Sequence, residues 1–350
     1  MDALLKKLSE ARGVSGNEEA VRQVILEAVR EHIDGYRVDA LGNLICYKKA
    51  RRQGGASWPR KVMLAAHMDE VGLMVTGFNN DGTLRFGKVG GIDDRVLLSK
   101  QVLIGPDAVP GVIGYRPIHL IPRAERNRPP DFSKLAIDIG ASNQAGAEKL
   151  VKLGDYVSFR TSFEVLAEDG LRTVKGKAFD DRAGCAVLVE LLKGEYAVDL
   201  YAAFTTQEEV GLRGAKVAAY AIAPDVAFAF EGTICDDLPS KKDVSPVTEL
   251  GKGPAITFMD RSFVADRRLV DLLVRTAEKE GIPYQFKRAV AGGTDSGAIH
   301  LSREGVPAVT VSVPSRYIHA PVSMLSLLDL EHTVQLVQKS LHNMEGGLGS

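Results

Sequence analysis

The sequence predicts an α/β protein with a largely parallel sheet flanked by helices and a small β-rich domain inserted into it. A short continuous apolar run at residues 62–66 is typical of a strand buried on both faces. After residue 173, such runs alternate with segments of helical periodicity, which favours a sheet covered by helices. Residues 71–172 instead show short alternating segments and frequent turn signals.

The chain length supports this division. Its 350 residues exceed what one hydrophobic core usually organises. We therefore expect one domain made of residues 1–70 and 173–350, which carries the chemistry, and an inserted β-rich domain made of residues 71–172.

The individual elements follow from local patterns. Residues 15–18 read as a capping box before an amphipathic helix, and residues 41–44 read as a hairpin. The last helix shows one apolar stripe that includes Leu330 and Leu341. Between the insertion and that helix, we predict helices and strands in alternation at residues 183–192, 200–205, 212–221, 226–230, 268–280 and 308–313.

Composition excludes several classes of function. Apolar residues make up 45% of the chain, and 44 basic residues nearly balance 45 acidic ones, so no strong field for nucleic acid or an anionic membrane is expected. There is no apolar run long enough to cross a bilayer and no secretory start, which predicts a cytoplasmic protein. Cys46, Cys185 and Cys235 are widely spaced and predicted to be buried reduced thiols.

Metal-type side chains stand at the ends of predicted elements. His67 follows the buried strand, and the two-residue period places Asp69 on the same face, where its carboxylate could orient the imidazole. A histidine satisfied within the core is the alternative. Asp180 and Asp181 stand just before a helix, where a helix cap plus a surface charge is the alternative.

Two adjacent glutamates end another apolar strand. In extended backbone, neighbouring side chains point to opposite sides, so of Glu208 and Glu209 one can bind a metal while the other acts as a base. Glu231 and His319 also follow strands, but single residues of this kind carry little weight alone. Together, two histidines and several carboxylates suit two divalent cations that share one bridging carboxylate.

Five strings in order along the chain resemble the TET-type aminopeptidase family, which includes glutamyl, leucyl and lysyl aminopeptidases of the di-zinc exopeptidase clan. They are AHMDEVG at residues 66–72, FDDRAG at 179–184, QEEVGLRGA at 207–215, GGTD at 292–295 and RYIH at 316–319. The resemblance implies a metal-dependent aminopeptidase of the di-zinc exopeptidase fold, which removes the N-terminal residue of short peptides by means of a metal-bridging hydroxide.

The resemblance also implies roles for individual residues. His67 and Glu209 would bind separate ions, most simply zinc or cobalt, and Asp180 would bridge them. Glu231 and His319 would complete the two coordination shells. Glu208 would be the general base, Asp69 would orient His67, and residues 294–295 would support the site. Position 231 is more often Asp in aminopeptidases of the clan.

Further expectations concern the backbone and the assembly. In the clan, the peptide bond after the bridging aspartate is cis, so we predict a cis bond between Asp180 and Asp181. Family members form dodecamers built from dimers, so we expect a homo-oligomer in which the insertion makes subunit contacts and lies away from the catalytic residues.

Three rival functions remain open at the level of sequence. A glycosidase needs two carboxylates around one bond but has no use for His67 and His319. A metal-dependent deacylase or carboxypeptidase-like enzyme is kept open by Glu231. A non-catalytic scaffold has no need of a base beside metal ligands.

Overall fold

A computed structural model describes residues 1–51, 59–123, 126, 128–238 and 246–344. Among these residues, no helix combines the length and the apolar character that crossing a bilayer requires. The α-helices are α1 Asp2–Glu10, α2 Glu19–Val29, α3 Gln144–Leu150, α4 Phe179–Leu192, α5 Arg213–Ile222, α6 Arg267–Glu280, α7 Asp295–Ile299 and α8 Leu327–Asn343.

Seventeen strands form two separate sheets in the described part of the chain. They are β1 Gly35–Val38, β2 Leu44–Lys48, β3 Lys61–His67, β4 Gly72–Phe78, β5 Leu84–Val89, β6 Gln101–Ile104, β7 Val109–Gly114, β8 Ala136–Asp138, β9 Tyr156–Phe159, β10 Glu164–Val165, β11 Thr173–Gly176, β12 Asp199–Thr205, β13 Val226–Ile234, β14 Ala255–Thr257, β15 Gln285–Phe286, β16 Ala308–Arg316 and β17 Ser323–Ser326.

The main sheet is mixed, which corrects the expectation of a largely parallel one. Its order is β1-β2-β12-β3-β13-β16-β17-β11-β10, with β14 and β15 attached beside β16. The central pairs β12–β3, β3–β13 and β13–β16 are parallel, whereas the flanking pairs β1–β2, β2–β12, β16–β17, β17–β11 and β11–β10 are antiparallel. The connection from β16 to β17, residues 317–322, is too short for a parallel crossover, so the chain turns back beside itself.

Helices cover both faces of the central strands. On one face, α1, α2, α4, α6 and α8 pack into the largest apolar cluster, and on the other α5 and α7 pack against a smaller one. Helix α4 is buried along nearly all its length, which fits its sequence from Ala183 to Leu192, where Glu190 is the one charged residue. Because the four central strands run in the same direction, their carboxyl ends meet at one edge, where the register pairs Thr205 with His67.

The insertion forms a closed barrel with its own core. Strands β4-β5-β8-β7-β6-β9 close the barrel around an apolar cluster that includes Leu73, Val102, Ile113 and Val157. The barrel strands end at Phe159, and the chain re-enters the main sheet through β10, which lies inside the residues predicted as inserted.

Candidate active site

The carboxyl edge of the central strands collects the predicted metal-type side chains. His67 is the last residue of β3, Asp180 lies at the start of α4, and Glu231 lies within β13. Glu208 and Glu209 lie in the turn that begins three residues after the end of β12, and His319 lies in the loop after β16. These chain segments meet at the same edge, so residues as far apart in sequence as His67 and Glu231 approach within ion-pair distance.

Asp180 lies between the two histidines. Its Oδ1 is 3.3 Å from His67 Nε2, and its Oδ2 is 3.5 Å from His319 Nε2. The peptide bond between Asp180 and Asp181 is cis, which confirms the prediction. One carboxylate thus presents a separate oxygen to each side of the site.

Two further carboxylates complete the two sides. Glu231 Oε2 lies 3.5 Å from His67 Nε2, and Glu209 Oε2 lies 3.3 Å from His319 Nε2. The donor atoms of His67, Asp180 and Glu231 all lie within 4.8 Å of one another, and so do those of Asp180, Glu209 and His319. Two groups of one histidine and two carboxylates, joined by Asp180, fit two divalent cations with a shared bridging ligand.

Asp69 is fully buried and organises the segment around His67. The Nδ1 of His67 is 3.1 Å from the Asp69 carbonyl oxygen and 3.5 Å from its Oδ1. A proton on Nδ1 satisfies that carbonyl and leaves Nε2 free to coordinate. The Asp69 carboxylate also accepts hydrogen bonds from the backbone N–H groups of Glu208 at 3.0 Å and Glu209 at 3.2 Å, a contact that the sequence did not reveal.

The capping box predicted at residues 15–18 is wrong. Helix α2 begins at Glu19, and no side chain caps it. Ser15 instead donates from Oγ to Asp69 Oδ2 at 2.6 Å. The sequence has the pattern of a capping box, but the Ser15 hydroxyl donates to the buried Asp69 carboxylate and not to the helix.

His319 is held by the insertion. Its Nδ1 lies 3.0 Å from the Gly91 carbonyl oxygen, in the loop that follows β5. The expectation that the insertion lies away from the catalytic residues is therefore wrong at this loop. The neighbouring Gly90 has a φ of +83°, and a Cβ there would lie 3.3 Å from the Glu209 Cβ. A second carbonyl acceptor thus orients the second histidine, as at His67.

Burial shapes the ionisation of this cluster. It raises the pKa of Glu208 well above its usual range and that of Glu209 to about 8. Burial alone would lower the pKa of His319, but Asp180 and Glu209 raise it to about 9. For Asp180, the hydrogen bonds from His319 and His67 outweigh the effect of burial and hold its pKa well below the usual value. The raised pKa values of these glutamates and of His319 show that the cluster carries too little positive charge to balance its carboxylates.

Residues 294–295 support Glu231, in line with their expected position near the site. The backbone N–H of Asp295 donates to Glu231 Oε1 at 2.9 Å, and Thr205 Oγ1 donates to Asp295 Oδ2 at 2.5 Å. Asp295 Oδ1 is buried and makes no hydrogen bond within the described residues. Burial raises the pKa of Asp295 to about 7.

The remaining histidines and the cysteines stay outside this cluster. Within the described ranges, no group of metal-type donors includes the other five histidines, which the sequence assigned to surface or core. Those are His32, His119, His300, His332 and His342. All three cysteines are buried and free, as predicted, and Cys185 donates from Sγ to the His67 carbonyl oxygen.

A cleft of about 630 Å³ opens onto the site. Asp180, Glu208, Glu209, Glu231 and His319 are among the residues that line it. Sequence reasoning missed several other lining residues, because they stand in no motif of metal-type side chains. They include Thr233, Ile234 and Lys287.

Comparison with known proteins assigns the family. Residues 42–336 match the model of the M42 glutamyl aminopeptidase family. A lysyl aminopeptidase of Pyrococcus furiosus is 33% identical over 98% of this chain and 97% of its own.

A TET aminopeptidase from a Thaumarchaeota archaeon superposes with a TM-score of 0.93, at 35% identity over 99% of this chain and 98% of its own. The TET1 peptidase of Pyrococcus horikoshii, which can assemble into a tetrahedron or a large octahedral shell, superposes with a TM-score of 0.84 at 37% identity over 97% of this chain and 99% of its own. The ordered motifs, the mixed α/β sheet and these full-length matches agree, and the chain belongs to the M42 glutamyl aminopeptidase family.

Proposed function

We propose that this protein is an aminopeptidase that uses two divalent cations, zinc or cobalt, to remove the N-terminal residue of short peptides. The observation that carries the proposal is the position of Asp180, with one carboxylate oxygen toward His67 and the other toward His319. Such a carboxylate would be shared by the two ions as a common ligand.

Each cation would have its own set of ligands. His67, Asp180 and Glu231 would hold one, and Asp180, Glu209 and His319 would hold the other. The mixture of imidazole nitrogen and carboxylate oxygen suits zinc or cobalt. The longer side chain of Glu231 reaches His67 at 3.5 Å, so the replacement of the more common Asp leaves the set complete.

When bound, the two cations would supply Lewis-acid polarisation of the scissile carbonyl and would acidify the attacking water. We assign to Glu208 the role of accepting the proton of that water. Its Oε2 lies 3.9 Å from His67 Nε2, its side chain is only 11% exposed, and burial raises its pKa. A carboxylate of raised pKa is a competent base near neutral pH and can deliver the same proton to the departing amine.

The position of Glu208 is fixed by its backbone. Its N–H donates to Asp69, and so does the N–H of Glu209. The two glutamates lie in a turn after β12 and not in the extended backbone that the sequence suggested, yet their side chains still diverge, with Glu209 near His319 and Glu208 near His67. Asp69 is therefore the residue that positions both His67 and the base.

We also propose that the protein is a homo-oligomer in which residues 71–172 make subunit contacts, with a dodecamer built from dimers as the expected size. The assembly of the Pyrococcus horikoshii relative supports this, and so do large apolar side chains exposed on the insertion. Ile118 is 58% exposed, Leu120 67% and Leu153 64%. Sedimentation velocity at micromolar concentration tests it, and a monomer alone would contradict it.

Turnover of aminoacyl-p-nitroanilides tests the proposed activity. Protein stripped by a chelator should be inactive, and adding zinc, cobalt or manganese should restore hydrolysis. Full activity in protein verified to be metal-free would overturn metal dependence. Peptides with a free and an N-acetylated terminus separate this activity from a deacylase, since an aminopeptidase should cleave only the free ones. Chelator-resistant hydrolysis of a β-glucan would instead support a glycosidase.

A further inference from the structure

The loop that carries Glu208 is held by side chains from other parts of the chain. This base loop, residues 206–212, connects β12 to α5. Its first four residues lie in no helix or strand, yet each of their backbone N–H groups donates to a side-chain oxygen. In the order of the donors, the acceptors are Asn43 Oδ1 at 2.9 Å, Glu18 Oε1 at 3.2 Å, Asp69 Oδ1 at 3.0 Å and Asp69 Oδ2 at 3.2 Å. Backbone that secondary structure does not hold is thus fixed by hydrogen bonds to side chains.

Glu18 is a buried carboxylate that the proposed chemistry does not use. It is only 4% exposed and directly precedes α2. The oxygen that accepts the Gln207 N–H also accepts the N–H of Gly16 at 2.6 Å. Among the residues that the structure describes, no cation forms an ion pair with Glu18. A buried carboxylate without a cation is costly, and an apolar residue would serve stability better. This cost favours a role for Glu18 in the site.

The two polar residues of the predicted capping box both support the base loop. Ser15 donates to Asp69 Oδ2, an oxygen that also accepts a backbone N–H of the base loop. Glu18 accepts the N–H of Gln207 directly. The pattern at residues 15–18 therefore serves the active site, although it has the form of a helix start.

The backbone of Gln207 has a conformation that needs support. Its φ is +57°, in the left-handed region that residues other than glycine rarely adopt. Such a conformation persists only where its surroundings enforce it. Because Glu208 is the next residue, a rotation at Gln207 would redirect the backbone from which the Glu208 side chain extends. The hydrogen bond from Glu18 to this N–H group therefore bears on the position of the base.

We propose that Glu18 is a positioning residue for Glu208, which it holds in place by accepting the backbone N–H of Gln207. This inference rests on the proposed aminopeptidase function and adds a residue 189 positions away from Gln207 in sequence. Glu18 is not among the described residues that line the cleft. Its loss should therefore reduce kcat much more than it changes KM or the binding of the cations.

The first test measures kcat, KM and bound metal in zinc-loaded protein. The substrate is the best of the leucine, lysine and glutamate p-nitroanilides. Glu18→Met has a similar length and no acceptor, so kcat should fall by about 10-fold to 100-fold, with KM and metal content changed by less than about 2-fold. Glu18→Gln keeps an oxygen acceptor and should stay within about 3-fold of the natural kcat.

Two further variants control for effects on folding. Glu19→Met removes the exposed acidic neighbour in the first turn of α2 and should leave kcat unchanged. Glu18→Ala removes the acceptor without placing a long apolar side chain beside the site, and it should show the same loss of kcat as Glu18→Met. The Tm of each variant shows whether it is folded at the temperature of the assay.

A double variant shows whether Glu18 acts through the base. In a protein that already carries Glu208→Gln, Glu18→Met should lower kcat by less than about 3-fold more, because the group that it positions no longer accepts a proton. A general weakening of the fold would instead lower kcat by the same factor in both backgrounds.

The outcomes separate this inference from the proposed activity. An unchanged kcat in Glu18→Met and Glu18→Ala overturns the inference alone. So does a loss of metal in proportion to activity, a failure of Glu18→Gln to restore kcat, or an equal loss in the Glu208→Gln background. Absence of hydrolysis by the natural protein with all three substrates overturns the proposed function as well.

Discussion

The two histidines of the site are held in different ways. His67 ends a central strand, its side chain is only 1% exposed, and its Nδ1 is held by Asp69, two residues further along the chain. His319 lies in a loop at a φ of +56°, its side chain is 41% exposed, and its Nδ1 is held by Gly91 of the inserted barrel. One half of the site is thus built within the sheet, whereas the other depends on how two separately packed regions meet.

The two histidines thus differ in whether local or long-range contacts orient them. A strand end and a residue two positions away belong to the same stretch of backbone, so the contact that orients the His67 ring is formed within residues 67–69. The geometry at His319 follows from contacts between the barrel and the sheet, including the close approach of Gly90 to Glu209. Changes in the barrel should therefore affect the His319 half before the His67 half.

The largest effects are expected from substitutions of the two adjacent glutamates, and the two substitutions should have different consequences. Glu208 lies on the His67 side and Glu209 on the His319 side. Glu208→Gln keeps the shape and removes the proton acceptor, so kcat should fall by about 10² to 10⁴ while both cations are retained. Glu209→Gln should instead lose one cation, since a neutral amide is a poorer ligand than a carboxylate.

Metal content by mass spectrometry and turnover, measured on the same samples, decide between these roles. Loss of an ion from Glu208→Gln with both kept by Glu209→Gln would reverse the assignment. An unchanged rate in both variants would place the chemistry elsewhere.

A smaller effect is expected from Gly90→Ala in the barrel. The new Cβ would lie 2.9 Å from Val71 Cγ1 and 3.3 Å from Glu209 Cβ, at a φ of +83° that side chains rarely adopt. Displacement of the loop should weaken the hydrogen bond between the Gly91 carbonyl and His319. Metal affinity or activity should therefore fall by about 10-fold to 100-fold, which is the usual effect of disturbing a group that orients a metal ligand.

Gly154→Ala is the matched control for this loop. Gly154 also lies in the insertion and has a φ of +84°, but a Cβ there meets nothing within 4 Å. It should cost about 1 kcal/mol of stability from backbone strain and leave metal binding unchanged. Equal loss of metal in both variants would show that backbone strain in the insertion, and not the contact with Glu209, causes the effect of Gly90→Ala.

The smallest effect concerns the pH dependence of the metal-free protein. Burial raises the pKa of Glu209 to about 8 and that of Asp295 to about 7. Groups with a raised folded-state pKa stabilise the fold at low pH and lose that contribution as pH rises through the folded-state value. The Tm of stripped protein should therefore fall by a few degrees between pH 5 and pH 8.

Calorimetry of stripped and loaded samples checks this, and the gap between them should widen as pH rises, since cations compete with protons for the same ligands. Glu209→Gln removes one titrating group from the His319 half and should make the decline shallower. A Tm that rises with pH in the stripped protein would contradict the sign.

Periodicity and turn signals predicted much of the fold. The apolar run at residues 62–66 became β3, and the amphipathic pattern at residues 268–280 became α6, because both are governed by local burial. Adjacency of side chains likewise revealed Asp69 beside His67 and the pair Glu208–Glu209. The convergence of five distant strings came from their resemblance to a family, since spacing alone does not bring residues together.

The rest depends on long-range contacts that leave no local pattern. The antiparallel flanks of the sheet arise from pairings such as β11 with β17, which are about 150 residues apart. Gly91 acts through its carbonyl oxygen, and every residue carries one, so no side-chain motif could reveal it. Lys287 is similarly hidden, because a lone lysine in a sequence gives no sign that it lines a cleft.

The contact between Gly91 and His319 limits how this protein can be engineered. A graft that replaces the whole barrel with a short linker would keep the sheet and the His67 half, yet it would remove the carbonyl that orients His319. A chimera between family members should therefore take the barrel with its loop at residues 90–91 and the loop that carries His319 from the same parent. The barrel is therefore joined to the main domain by its two chain connections and also by a hydrogen bond to a residue of the active site.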